Sequence, residues 1–280
     1  MTAARERRAL LPTAVLLVGA LYTLLPVAWV LVAATKSRAD LFNSFTFAPS
    51  GALLANIGDL TAYRDGLFWV WTANSALYAV VGALVSALLS GLTGYTLAKY
   101  RFRGRSLLFN ILLAGVLVPG ITLAIPQYLL LARVGLTDSY LSVLLPSLVS
   151  PYGMYLARVY AAAAVPDELI EAARTDGAGE LRIFGSVALP VMRPGLVTVF
   201  LVQFVAIWNN FLLPYIMLAD DRKFPITVGL FTLLNQGASQ PALYTLVITG
   251  SLLSILPLAA LFLSLQRYWR IDLLSGVVKG

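Results

Sequence analysis

The chain has 280 residues, of which 59% are hydrophobic and 12% charged, with a formal net charge of +7 and neither cysteine nor histidine. Soluble domains carry about 25% charged residues, so this is the composition of a membrane protein. The missing Cys and His remove disulfide and thiolate chemistry and argue against the usual zinc and haem sites, while the cationic excess suits loop orientation in a membrane better than binding of nucleic acid.

Six windows contain no charged residue: 9–35, 66–98, 106–132, 139–157, 194–219 and 224–266. Each is long enough to hold the ~20 apolar residues that cross a ~30 Å hydrocarbon core. They predict an all-α protein with six transmembrane helices, the first over 10–35 and the others at about 71–97, 107–127, 140–160, 195–217 and 242–266. The first window follows Arg5, Arg7 and Arg8 but is far longer than the apolar region of about 7–15 residues in a signal peptide, so it reads as a retained helix. When loops are placed on alternate sides, fourteen of the twenty Lys and Arg residues fall on the side of both termini. The positive-inside tendency then makes residues 1–9, the loop 165–194 and the tail 267–280 cytoplasmic, and the segment 36–68 extracytoplasmic.

In that outer segment Phe42, Phe45, Phe47, Pro49 and Asn56 suggest an ordered external cap or an interfacial stretch, without assignable chemistry. The second window carries Gly82, Ser86, Ser90 and Gly94 at four-residue spacing, a small-residue ladder that lets helix backbones pack closely and could also let them slide. Proline frees backbone carbonyls, so Pro119, Gly120 and Pro126 in the third window predict either a hinge or simply a bent helix. In the fifth window Gln203, Trp208, Asn209 and Asn210 bring hydrogen-bonding groups into an apolar helix, where they either bond to neighbouring helices or line the path of a polar substrate.

The most charged interlude, Val165 to Pro194, reads as two short helices meeting at a glycine corner. Pro166, Asp167 and Glu168 suit a helix start, and Asp176-Gly177-Ala178-Gly179 suits its end. Leu181, Ile183, Phe184, Val187 and Ala188 form the apolar stripe of a second helix, which Pro190 and Pro194 should close. Composition alone would allow an amphipathic linker lying on the bilayer. The spacing is more specific. Glu171-Ala172-Ala173, three residues, Gly177, nine residues, then Val187-Ala188-Leu189-Pro190 resembles the EAA signature with which ABC-importer permeases dock onto their ATPase. The residue types suit docking: small Ala172 and Ala173 admit close approach, Glu171 accepts a charge-assisted hydrogen bond, and Gly177 permits a sharp corner.

No charged residue falls in the six windows, which disfavours an ion-coupled mechanism, and no lysine follows a glycine, so the phosphate-binding loop of an ATPase is absent. Energy would therefore come from another polypeptide.

Further segments narrow the resemblance. Trp208-Asn209-Asn210-Phe211-Leu212-Leu213-Pro214, Phe224-Pro225-Ile226-Thr227-Val228-Gly229-Leu230 and Gln266-Arg267-Tyr268 with the terminal Gly276 and Val278-Lys279-Gly280 resemble motifs of the carbohydrate branch, the maltose-type or MalG-like permeases. Asp272, where that family usually has glycine, and Thr175, at a position more often aliphatic, depart from it. The resemblance implies a type I ABC importer permease fold with cytoplasmic EAA coupling helices and a permease domain over 69–265. It implies a transport subunit of a bacterial or archaeal inner membrane, not an enzyme, with no cofactor or metal of its own, ATP and Mg being held by the partner ATPase. Its partners would be a second permease in a heterodimer, an ATPase dimer, an extracytoplasmic solute-binding protein and membrane lipid, with no nucleic acid. Glu171, Ala172, Ala173, Asp176, Gly177, Leu189 and Pro190 would couple to the ATPase, with Gly276, Lys279 and Gly280 as a second coupling element. A permease for a non-sugar solute and an ion-coupled transporter are the alternatives.

Overall fold

A computed structural model describes residues 2–275, with side chains from 12 to 266. All regular structure among the described residues is helical. In order, the helices are α1 Thr2–Ala34, α2 Arg38–Asn43, α3 Leu53–Ala62, α4 Leu67–Lys99, α5 Arg105–Leu117, α6 Gly120–Arg133 and α7 Tyr140–Ser147. They continue as α8 Pro151–Ala164, α9 Asp167–Thr175, α10 Glu180–Ile183, a π-turn Phe184–Ala188, α11 Leu189–Trp208 and α12 Leu212–Met217. A 3₁₀ turn Asp221–Lys223, α13 Ile226–Gly237 and α14 Leu243–Ser275 complete the chain.

Among the described residues, Pro12–Ala34, Leu67–Lys99, Glu180–Trp208 and Leu243–Gln266 are the 4 helical stretches long and apolar enough to cross a membrane, and counting the bent α5–α6 pair gives 5. The sequence predicts six. The window at 140–160 is the difference: it is split into α7, of 8 residues, and α8, of 14. Pro146 sits in the last turn of α7, and Ser150 caps α8 by accepting a hydrogen bond from Gly153 N at 3.0 Å, with Pro151 as the first helical residue. The predicted span 195–217 is also interrupted, because α11 stops at Trp208 and α12 begins only at Leu212.

Nor do Pro190 and Pro194 close their helix; it runs through both to Trp208. At Pro190 a π-turn gives the physical reason. Leu189 N bonds Phe184 O, one residue further back than in an α-helix, so the widened turn falls where Pro190 lacks its donor. At Pro119 the helix does break. Val118 is extended, Pro119 caps α6 and Gly120 begins it, and α6 leaves α5 at 104°. Pro126 lies within α6, which continues past it.

The chain forms two compact units. The first, residues 1–68 and 230–256, contains an ordered outer segment. There Lys36, fully buried, donates from Nζ to Phe45 O at 2.6 Å and Ser44 Oγ at 3.0 Å, while Asn56 Nδ2 donates to Ala34 O and Lys36 O at 2.9 and 2.8 Å. A buried ammonium is tolerated only when its donors are satisfied, and these bonds tie the segment after α1 into a fixed shape.

The second unit, residues 69–229 and from 257 onward, is built on α4. Its small-residue face is used for contact. A Cβ on Gly94 would stand 2.5 Å from Arg158 N and 2.7 Å from the Ala157 carbonyl carbon, so α4 and α8 meet backbone to backbone. A Cβ on Gly82 would stand 2.8 Å from Ile207 Cδ1 of α11. In lipid such association rests on close van der Waals contact, which small residues make possible. Two apolar clusters follow along α4: Tyr78, Val143, Phe204, Trp208 and Met217 in one, and Tyr95, Ala161, Ile170, Ile183 and Met192 in the other.

Candidate functional site

The second cluster carries the loop 165–194. Ile170 of α9 and Ile183 and Ala188 beyond it are buried against Tyr95 of α4 and Ala157 and Ala161 of α8. Polar contacts fix the same loop from its edges. Lys99 Nζ lies 2.7 Å from Asp167 Oδ1, so the end of α4 holds the start of α9. The adjacent ammonium holds the Asp167 carboxyl below its ordinary range. Arg174 donates to Glu180 from Nε at 2.9 Å and Nη2 at 3.3 Å, a two-pronged bond across the corner. Tyr100 donates its hydroxyl to the same carboxylate, and its phenol pKa is pushed up by burial and by that bond.

The corner itself is a Schellman motif. Ala178 N bonds Ala173 O and Gly177 N bonds Arg174 O, both at 3.0 Å, with Gly177 at φ +79°. Asp176 occupies the capping position between helix and glycine. Thr175 turns its hydroxyl back onto Glu171 O at 3.0 Å, so the polar residue satisfies itself within the last helical turn.

Glu171, Ala172, Asp176 and Gly177 are exposed and Ala173 is half-buried beneath them. Two leucines missed as surface residues join that outer face: Leu169 and Leu181, the latter 80% exposed. Leu181 is expected inside from its apolar stripe, but Ile183 takes the inward place. Leu189 and Pro190 lie further on, in the wall of an apolar groove of about 610 Å³ that also includes Leu84, Arg193 and Phe200. Gly276, Lys279 and Gly280 lie outside the described residues.

The four candidate pathway residues separate. Gln203 and Asn210 line a cavity of about 430 Å³ bounded by α6, α7, α11 and α12. Trp208 does not reach it; it is buried, with its indole stacked on Phe204 at 5.7 Å. Asn209 is exposed and donates its amide to Val205 O at 2.9 Å. Gly120, at the α5–α6 bend, lines the cavity too, as does Gln127, which the sequence reading passes over. Gln203 is fixed by donating to Ser150 Oγ at the head of α8.

At the far end of α4 a second polar assembly was not anticipated. Trp71, Asn74, Ser75 and Tyr78 share one helix face at i, i+3, i+4 and i+7. Trp71 Nε1 donates to Asp221 O at 2.8 Å, Asn74 Nδ2 to Arg222 O and Phe224 O at 2.8 and 3.0 Å, and Tyr78 Oη to Lys223 O at 2.9 Å, while Ser75 Oγ accepts from Ile226 N at 2.8 Å. Asp138 grips the other side of this turn, accepting from Ala219 N and Asp220 N at 3.1 Å each and from Lys223 Nζ at 3.1 Å. Those backbone donors and the ammonium lower its pKa. The sequence signal was present as a polar stripe at helical spacing, but its partners are carbonyls, which no side-chain pattern reveals.

Residues 86–270 match the family described as the inner membrane component of binding-protein-dependent transport systems. The chain belongs to this family, whose members are transport components and not catalysts. It is 37% identical over 215 residues to the arabinooligosaccharides transport system permease protein AraQ of Halalkalibacterium halodurans, covering 77% of this chain and 76% of that one. The lactose transport system permease protein LacG of Rhizobium radiobacter is 30% identical over 264 residues, 94% of each chain. The fold is that of a solved bacterial ABC transporter involved in the import of the acidic polysaccharide alginate, at a TM-score of 0.81 and 24% identity over 95% of this chain and 97% of the other. This is the type I ABC permease fold.

Proposed function

We propose that this chain is a permease subunit of an ATP-driven sugar importer, that it supplies half of the translocation path, and that the loop 165–194 is its handle. One observation carries the handle: Leu169, Glu171, Ala172 and Leu181 are exposed, while the same loop is anchored behind by Ile170, Ile183 and the Lys99–Asp167 pair. An exposed apolar surface on a rigid support suits a partner that must push on it. Sugar as the cargo is supported by AraQ and LacG, named for arabinooligosaccharides and lactose.

On this reading the loop and both termini are cytoplasmic, and the broken pairs α5–α6 and α7–α8 complete six crossings together with the four long helices. A second permease completes the path, an ATPase dimer binds ATP and Mg and grips Glu171 to Pro190, and an external binding protein delivers the solute. The tail with Gly276, Lys279 and Gly280 makes a second contact with the ATPase. The bend at Pro119 and Gly120 is a hinge through which closure below opens the cavity above.

Glu171→Ala and Gly177→Trp, assembled with the partner subunits in liposomes, should uncouple ATP hydrolysis from uptake or prevent ATPase docking, with the chain still inserted in the membrane. Normal solute-stimulated hydrolysis in both variants would contradict the handle.

A further inference from the structure

The 104° bend between α5 and α6 carries Gln127 to the wall of the 430 Å³ cavity where Gln203 and Asn210 stand. That volume is within the ~300–1,000 Å³ usual for small-molecule sites. No lining residue is charged; besides the three amides only Ser147 offers a side-chain polar group, and the rest of the wall is apolar. Among the described residues the side-chain amides of Gln127 and Asn210 have no hydrogen-bond partner, and Gln203 spends its amide nitrogen on Ser150, leaving its carbonyl oxygen to accept.

An amide presents donors and an acceptor together, which matches a hydroxyl that both gives and takes a hydrogen bond. The three amides are half-buried in that wall, and a ligand hydroxyl recovers on them the hydrogen bonds that it loses with water on entry. A carboxylate or phosphate recovers far less, because it arrives without a cation to pair with and loses its hydration on entry.

We propose that Gln127, Gln203 and Asn210 form a subsite of the translocation path that takes uncharged, hydroxyl-bearing solutes and rejects anionic ones. This rests on the importer reading above and adds Gln127 as a solute-contacting residue on an element that the reading otherwise uses only as a hinge. It also places part of the selection in this chain, downstream of any external binding protein.

The test is ATP-dependent uptake into liposomes that hold the complete transporter with its binding protein. Arabinotriose, lactose and raffinose serve as neutral probes, and glycerol 3-phosphate and an alginate trisaccharide as anionic ones. At least one neutral probe should enter and neither anion should. Gln127→Leu and Asn210→Leu should each lower the saturating rate of neutral uptake about tenfold, with co-purification of the partners unchanged. Gln127→Glu, of the same shape but charged, should abolish it. Uptake of an anionic probe, or unchanged neutral uptake in both leucine variants, would overturn the subsite and leave the importer reading standing. Loss of coupling with no uptake of any probe by the unaltered chain would overturn both.

Discussion

Gly177 is the residue on which the candidate handle turns. Its φ of +79° lies in the left-handed region, and no heavy atom stands within 4 Å of where a Cβ would be, so backbone strain alone decides what the position tolerates. Gly177→Ala should therefore destabilise the corner by about 1–2 kcal/mol, while Gly177→Asn should be milder because asparagine visits this region. Hydrogen exchange at the amides of 177 and 178 reads the difference directly: it should quicken in the alanine variant and much less in the asparagine one. Equal protection in both would contradict a corner held by the glycine. This position was legible from sequence because a glycine after a short charged helix has few other uses. Leu181 was not. Its place on the outer face follows from Ile183 taking the buried position, since residues two apart in a helix do not share a face. Trp208 was misleading in the same way. An indole beside two asparagines suggests a polar path, yet its partner is Phe204 one helical turn earlier.

At the scale of elements, α4 organises the second unit by offering glycine where α8 crosses. Gly94→Leu should force the two helices apart, since even a methyl group would lie within 3 Å of Ala157 and Arg158 backbone atoms. Overpacking of this kind costs about 1–3 kcal/mol, so thermal unfolding of the detergent-solubilised chain should show a clear loss of stability. Gly120→Ala, at a glycine with open space around it, should be nearly silent in the same assay. Comparable effects from both would contradict a contact specific to Gly94. Helix positions were largely readable from the uncharged windows, because hydrophobic length is what the bilayer imposes. Helix continuity was not. The window 139–157 is uncharged throughout, yet Pro146, Ser150 and Pro151 divide it, whereas α11 runs through Pro190, whose missing donor a π-turn absorbs, and through Pro194. Hydropathy records where a chain prefers lipid and is blind to the backbone hydrogen bonds that decide whether it stays helical.

For the whole molecule, the central claim is that Val165 to Pro194 projects into the cytoplasm and is gripped there by an ATP-hydrolysing partner. The absence of cysteine from the chain makes this directly measurable, since a cysteine placed at Ala172 would be the only thiol in this sequence. Ala172→Cys should resist a membrane-impermeant maleimide added to intact cells, react with it in inside-out vesicles that lack the ATPase, and become protected once the ATPase subunits assemble. Labelling from outside intact cells, or undiminished labelling in the assembled transporter, would contradict the account.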